Sequence, residues 1–300
     1  MPEGDSFKMY DWKYPVTTCK TVPVAFPPQH QNFHPGVESI MVPQPVSDNP
    51  LYHGSGKLKG RVAVITGGDS GIGRAVAIAF AKEGADCAIV YLSPQERVDA
   101  QQTMRLVQSI GRRIIAFEGD AGDEGFCMHV VEQTCKIMGR IDIIVNNAAV
   151  IYVKDSILDI SPEQLMKTFR TNVFSYFYLV KAALPFLKRG SSIINTSSVT
   201  AFEPYAKSMD YSASKGAVVA FTRSLARSLI PYGIRVNTVA PGMTWTPFIP
   251  SSQNARDVML FGRERPMGRA AQPEEIAPSY VFLASEIDSS YMTGQIITVT

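Results

Sequence analysis

Residues 61–80 read RVAVITGGDSGIGRAVAIAF, and the pattern changes partway along. RVAVITG (61–67) is apolar on successive residues and rich in β-branched side chains, as in a strand buried on both faces. From Gly71 the spacing becomes helical, over 71–83. Gly67, Gly71 and Gly73 stand at the junction, where a strand runs into a helix N-terminus. Glycines there let the backbone come close to a ligand, and the helix offers free N–H groups and a partial positive charge to a pyrophosphate. No Gly-Lys-Ser/Thr follows, which disfavours a nucleotide triphosphatase.

The same alternation continues to the C-terminus. Further strand-like runs are DCAIVYL (86–92), RRIIAFEGD (112–120), IDIIVNNA (141–148), SSIINTSS (191–198), IRVNTVAPG (234–242) and IITVT (296–300). Helical stretches fall at 96–110, 122–138, 163–188, 210–229 and 273–285. Strands alternating with helices predict βαβ units. The expected fold is therefore one doubly wound α/β domain over residues 58–300, a seven-stranded parallel sheet with helices on both faces. Residues 1–57 differ in kind: they hold nine of the chain's twenty prolines, so regular elements are not expected. They also carry Phe26, Phe33, Ile40, Met41, Val42 and Leu51, more apolar surface than a linker needs, and so read as an extended arm lying on its own subunit or a neighbour's.

Composition narrows the function. With 45% hydrophobic and 19% charged residues and a formal charge of +2, the chain of 300 residues gives no reason to expect nucleic acid or an anionic membrane as partner. No apolar run approaches the roughly 18–20 residues of a membrane span, and no signal peptide is apparent. Cys19, Cys87, Cys127 and Cys135 form no C-x-x-C pair and the four histidines are scattered, so neither a disulfide frame nor a metal site is expected and the compartment reads as cytoplasmic.

The second informative stretch is DYSASKGAVVAF (210–221). On a helix, Tyr211 and Lys215 share a face. A positive charge within roughly 4–6 Å favours phenolate and lowers the phenol's pKa, which would make Tyr211 a usable general acid/base.

The order of Thr66–Gly73, the tetrad Asn146-Asn147-Ala148-Ala149, Ser198, Tyr211-x-x-x-Lys215 and Pro241-Gly242 resembles the short-chain dehydrogenase/reductase family in its single-domain form, with a Rossmann-type fold. The arm and the glycine loop resemble a subgroup of stress-associated and glucose/ribitol-dehydrogenase-like members. The resemblance implies a hydride transfer between a nicotinamide and an alcohol or carbonyl compound, with Tyr211 as general acid/base. It implies that Lys215 lowers the phenol's pKa and meets the nicotinamide ribose. Ser198, with Ser197 as a rival, would hold the substrate oxygen, and Asn172 would support a water leading protons to the lysine. Gly67, Ser70, Gly71, Ile72 and Gly73 would hold the pyrophosphate, Asp120 the adenine, and Asn147 and Ala148 the adenosine ribose side. Thr244 and Thr246, after Pro241-Gly242, would meet the carboxamide and phosphate.

Tyr91 stands where an NAD-reading acid would be, which leans towards NADP, with NAD as the alternative. Asp69 weakens that lean, and Arg97 is the nearest candidate base. Val150, Ile151, Tyr152, Phe202, Tyr205, Trp245 and Phe248 are expected around an aromatic-lined mouth. Helices 163–188 and 210–229 are apolar around more of their circumference than one sheet face requires, which predicts a homo-oligomer, a tetramer by resemblance. A non-catalytic dinucleotide sensor on the same fold is the competing class.

Overall fold

The computed structural model of the chain describes residues 9–11 and 21–300; Cys19 lies outside them. Two short strands, β1 (Met9–Asp11) and β2 (Thr21–Pro23), pair antiparallel. The main sheet contains β3 (Val62–Thr66), β4 (Asp86–Tyr91), β5 (Ile114–Glu118), β6 (Ile143–Asn146), β7 (Ser192–Thr196), β8 (Arg235–Pro241) and β9 (Ile296–Val299). All seven runs predicted as strands are present. They are parallel, in the order β5-β4-β3-β6-β7-β8-β9.

Alternate residues of each strand serve opposite faces, which is why the runs are apolar throughout. Ala63 and Ile65 of β3, with Cys87 and Ile89 of β4, pack in one core cluster with helices α1 (Gly71–Lys82), α2 (Arg97–Ser109) and α8 (Pro273–Ala284). Val64, Ala88 and Val90 pack in the other, with α3 (Glu124–Met138), α5 (Ser175–Ala183) and α6 (Met209–Leu229). The sheet is doubly wound. Its order reverses between β3 and β6, and the crevice beyond the strand carboxyl ends at such a switch point is where ligands bind.

The predicted helix 163–188 is not continuous. It is α4 (Pro162–Phe169), a π-helical turn over Arg170–Phe174, then α5, which stops at Ala183. Pro185, just past the C-cap Leu184, ends it, because proline has no amide to donate back to the preceding turn. Two short helices, α7 (Ala255–Met259) and α9 (Glu286–Ser289), carried no signal beforehand.

The arm corrects a second expectation, since it contains the β1–β2 ribbon and a 3-10 turn at Glu38–Ile40. From Phe26 onward it lies against the body of its own chain. Phe26 stacks on Trp245 at 3.7 Å between ring centroids, and both are fully buried. With Met41 they join Ile249, Val258, Phe261 and Ala270 in a third core cluster beneath the segment after β8.

Candidate active site

A cavity of about 720 Å³ opens at the carboxyl ends of β3, β4, β6, β7 and β8. At its floor, the turn from β3 into α1 carries Gly67 and Gly71 at φ of +63° and +50°, a backbone region that favours glycine. Gly73 acts differently. A Cβ there would lie 1.9 Å from the carbonyl oxygen of Gly67, so glycine lets α1 sit directly on the turn, and the residue is off the cavity wall. Gly67, Ser70, Gly71 and Ile72 are on it. First-turn helix amides have no partner within the helix. At α1 the Gly71 amide donates to Glu38 Oε2 (2.6 Å), so an arm carboxylate occupies one position at this helix end. Glu38 also pairs with the buried Arg74, and burial still raises its carboxyl to about 7.

Asp69 and Glu96 line the cavity near Val90, Tyr91 and Leu92. Both are buried, and burial raises them to about 6 and about 8; the Asp99 charge adds to the rise at Asp69, and the Asp69 charge to the rise at Glu96. Glu96 Oε2 accepts from the amides of Leu92 (3.1 Å) and Ser93 (3.0 Å), while Asp69 Oδ2 is buried without a hydrogen-bond partner. Tyr91 lines the wall and donates its hydroxyl to Glu118 (3.0 Å). Arg97 is not a cavity group. Its guanidinium is held by the same Glu118 oxygen, at 2.8 and 3.1 Å. Asp120, Asn147 and Ala148 line the cavity, and Asn147 Nδ2 donates to the carbonyls of Thr66 (3.0 Å) and Gly67 (3.2 Å).

At the other end α6 brings Tyr211 and Lys215 into the cavity with Ser198. Asp210 orients this helix: its Oδ2 accepts from Thr168 (2.7 Å) and Gln164 (3.1 Å) of α4, and Oδ1 from the Tyr211 amide (2.9 Å). Ser198 acts on the Tyr211 phenol, favouring its charged form. Ser197 donates instead to the carbonyl of Lys215 (2.8 Å), so Ser198 is the serine paired with the phenol. Lys215 Nζ donates to the carbonyl of Thr196 (2.9 Å) and lies 5.6 Å from the Tyr211 ring centroid.

The electrostatics reverse the expectation drawn from the Tyr–Lys spacing. Tyr211 is pushed up to about 12 by burial, against the opposing effect of Ser198. Burial likewise lowers Lys215 to about 7. A lysine surrounded by neutral oxygens is only partly charged at neutral pH, so in the protein alone it does not draw the phenol down.

Asn172 lies behind the wall, in the π-helical turn. Its Oδ1 accepts from the Val150 amide (2.8 Å), and Nδ2 donates to the Val150 carbonyl (2.9 Å) and to Ser214 Oγ (3.0 Å). The side chain thus ties the turn to the segment after β6 and to α6. Pro241, Gly242, Thr244 and Thr246 line the cavity from the segment after β8. Of the expected mouth residues, Val150, Ile151, Tyr205 and Phe248 are on the wall. Tyr152, Phe202 and Trp245 are not, and Trp245 is consumed by its stack on Phe26. The reading of the sequence missed Pro35 and Gly36 of the arm, which also line the cavity, because nothing local connects a proline-rich segment to a pocket built by strands far along the chain.

A pocket at the switch point of a doubly wound sheet, floored by a glycine turn and closed by a Ser–Tyr–Lys group, defines the class of dinucleotide-dependent oxidoreductases. A family model described as Enoyl-(Acyl carrier protein) reductase matches residues 67–300. The chain is 50% identical to NADPH-dependent aldehyde reductase 1, chloroplastic, of Arabidopsis thaliana, over 90% of this chain and 95% of that one. It is 49% identical to glucose and ribitol dehydrogenase of Daucus carota, over 91% and 94%. Among solved structures, a short-chain dehydrogenase from Burkholderia cenocepacia in complex with NADP superimposes with a TM-score of 0.75 at 31% identity, covering 81% of this chain and 97% of that one. The chain belongs to the short-chain dehydrogenase/reductase family.

Proposed function

We propose that the protein is an NADP(H)-dependent reductase of small carbonyl compounds, working in the cytoplasm, with Tyr211 as the proton donor. The observation that carries this reading is Tyr211 standing with Ser198 and Lys215 on the cavity wall, the phenol held protonated by burial. A tyrosine that keeps its proton at neutral pH suits the reductive direction, in which an acid must deliver a proton to the developing alkoxide.

The residues present fit a dinucleotide: glycines that admit close backbone approach, a helix N-terminus facing the cavity, and Asn147 and Asp120 along its wall. Ser70 and Ile72 would hold the pyrophosphate, and Lys215 and Thr244 the nicotinamide end; the cofactor supplies the hydride. Ser198 positions the carbonyl oxygen, and Tyr211 passes it the phenolic proton as the carbon is reduced, giving the alcohol. Lys215 and Asn172 support this end of the site, the lysine beneath the phenol and the asparagine through Val150 and Ser214.

Tyr91 in place of an acid at the end of β4, together with the NADPH named in one relative's description, supports NADP over NAD. A polyhydroxy substrate is a second reading, favoured by the polar mouth formed by Glu203, Asp257, Glu264 and Arg265. The test is a panel of aldehydes, ketones and polyols offered with each cofactor, alongside a Tyr211→Phe variant. NADPH should bind more tightly than NADH, and Tyr211→Phe should bind NADPH normally while losing about 10²–10⁴-fold in kcat. A variant retaining a tenth of wild-type turnover would remove Tyr211 from the mechanism.

A further inference from the structure

The arm crosses the substrate end of the cavity, where Pro35 and Gly36 line the wall and its neighbours bond to two segments of the body. The Gln31 amide donates to the carbonyl of Pro250 (2.8 Å). The Gln31 side chain holds the amide and carbonyl of Val37 at 2.7 and 2.8 Å, bending the intervening residues into a loop. Within that loop, a Cβ on Gly36 would lie 2.5 Å from the carbonyl oxygen of Pro247 and 2.9 Å from Cβ of Ser251, so the arm backbone rests directly on the segment covering the pocket.

His34 sits between two walls of the site. The Ile151 amide, just after β6, donates to Nε2 (3.3 Å). Because that nitrogen must accept, the ring proton of the neutral imidazole is on Nδ1, which donates to Ser251 Oγ (2.7 Å). Ser251 Oγ in turn donates to the carbonyl of Phe248 (3.3 Å). Burial and the nearby Lys167 charge lower His34 to about 4, so the ring is neutral at physiological pH and can hold both bonds. The Phe248 ring lies 5.7 Å from His34 on one side and 5.8 Å from Tyr211 on the other.

We propose that His34 is a positioning residue for the substrate pocket: it pins the segment after β6 to the loop 247–253 and so fixes Phe248 over Tyr211. The arm thereby forms one wall of the site. This rests on the reading above, that the substrate meets Tyr211 at this end of the cavity.

The experiment uses the full chain, in wild-type form and as His34→Ala, His34→Gln and Ser251→Ala. In turnover with a carbonyl from the panel, His34→Ala should raise the substrate KM about tenfold, the scale of one or two lost hydrogen bonds. Its kcat should stay within about threefold and its affinity for NADPH should be unchanged, because those bonds hold a wall and not the reacting atoms. His34→Gln, whose amide oxygen can still accept from Ile151, should recover part of the KM. Amide hydrogen exchange on the unliganded chain should quicken at 150–152 and 247–253 together in His34→Ala, with α1 unchanged. It should quicken at 247–253 in Ser251→Ala, which breaks only the far end and leaves the arm's packing intact. Exchange in both variants that matches wild type at both walls overturns the proposal, as does a shift confined to cofactor affinity. If the wild type reduces no carbonyl at all, the oxidoreductase reading falls, and the exchange measurement still decides whether His34 joins the two walls.

Discussion

At the scale of single residues, Lys215 shows how far surroundings can move a side chain from its ordinary chemistry. Its amine reaches the Thr196 carbonyl and, more distantly, the Tyr176 hydroxyl (3.5 Å), both neutral oxygens. Neither repays the cost of burying a charge. The folded lysine therefore releases its proton near pH 7, whereas the unfolded chain keeps it to about 10.5. Between those values the unfolded state binds more protons, so stability rises with pH. The window from pH 8 to 10 is read as a difference between two proteins, since Glu96, Cys87, Cys127 and Tyr211, which also shift on folding, are common to both. Denaturant unfolding of the unliganded protein across that window should show a steeper rise in wild type than in Lys215→Met, by up to one proton's worth of slope, about 1.4 kcal/mol per pH unit. Parallel curves for the two proteins would mean that the lysine is not depressed.

At the scale of elements, the junction of β3 and α1 makes the sharpest demand on sequence. Gly73 is the first-turn residue where helix meets turn, and the atom its Cβ would strike is backbone, which cannot swing aside as a side chain can. Gly73→Ala should push α1 away from the Gly67 turn. The expected loss is about 1–3 kcal/mol of stability, as for other overpacked sites, with a parallel fall in dinucleotide affinity. Thermal unfolding and NADPH titration measure the two effects, and a variant unchanged in both would show that the helix has room to move. The glycine spacing that marks this element is readable in one dimension because the turn is local. The break in the predicted helix 163–188 is not, because an apolar pattern continuing through Arg170–Phe174 has the same appearance with or without a π-helical turn.

At the scale of the whole molecule, α5 and α6 present an apolar face away from the hydrogen bonds and ion pairs of the described arm, among them those to loop 247–253, Ile151, α1, α2, the start of α8 and α9. Phe177 and Phe221 pack ring on ring at 4.1 Å, and Phe177 remains 49% exposed. Leu184 and Phe186 extend the face. Exposed aromatic pairs of this kind mark an interaction surface, and a two-fold axis would cover each with its own copy. We expect a homo-oligomer, a tetramer by family resemblance, and light scattering at micromolar concentration should give a multiple of 32.9 kDa. Phe177→Glu should shift the mass towards one chain, because a carboxylate cannot be buried against a second copy without a partner. An active wild type with the mass of a single chain would refute the interface.

The sequence by itself determined the strands of the sheet, most of its flanking helices and much of the cavity wall. Strand runs buried on both faces, a glycine turn and a Tyr–Lys pair on one helix face are all short-range patterns, and the chain writes them out over a few residues each. Only the tertiary structure decided the charges. Tyr211 and Lys215 are four residues apart in either description, yet their proton affinities are set by burial among other elements, with Ser198 acting on the phenol. It also decided that His34 and Glu38 meet Ile151, Ser251 and Gly71. Hydrogen bonds spanning between about thirty and more than two hundred positions leave no periodicity to read; they exist only once the sheet has closed and the arm has been laid across it.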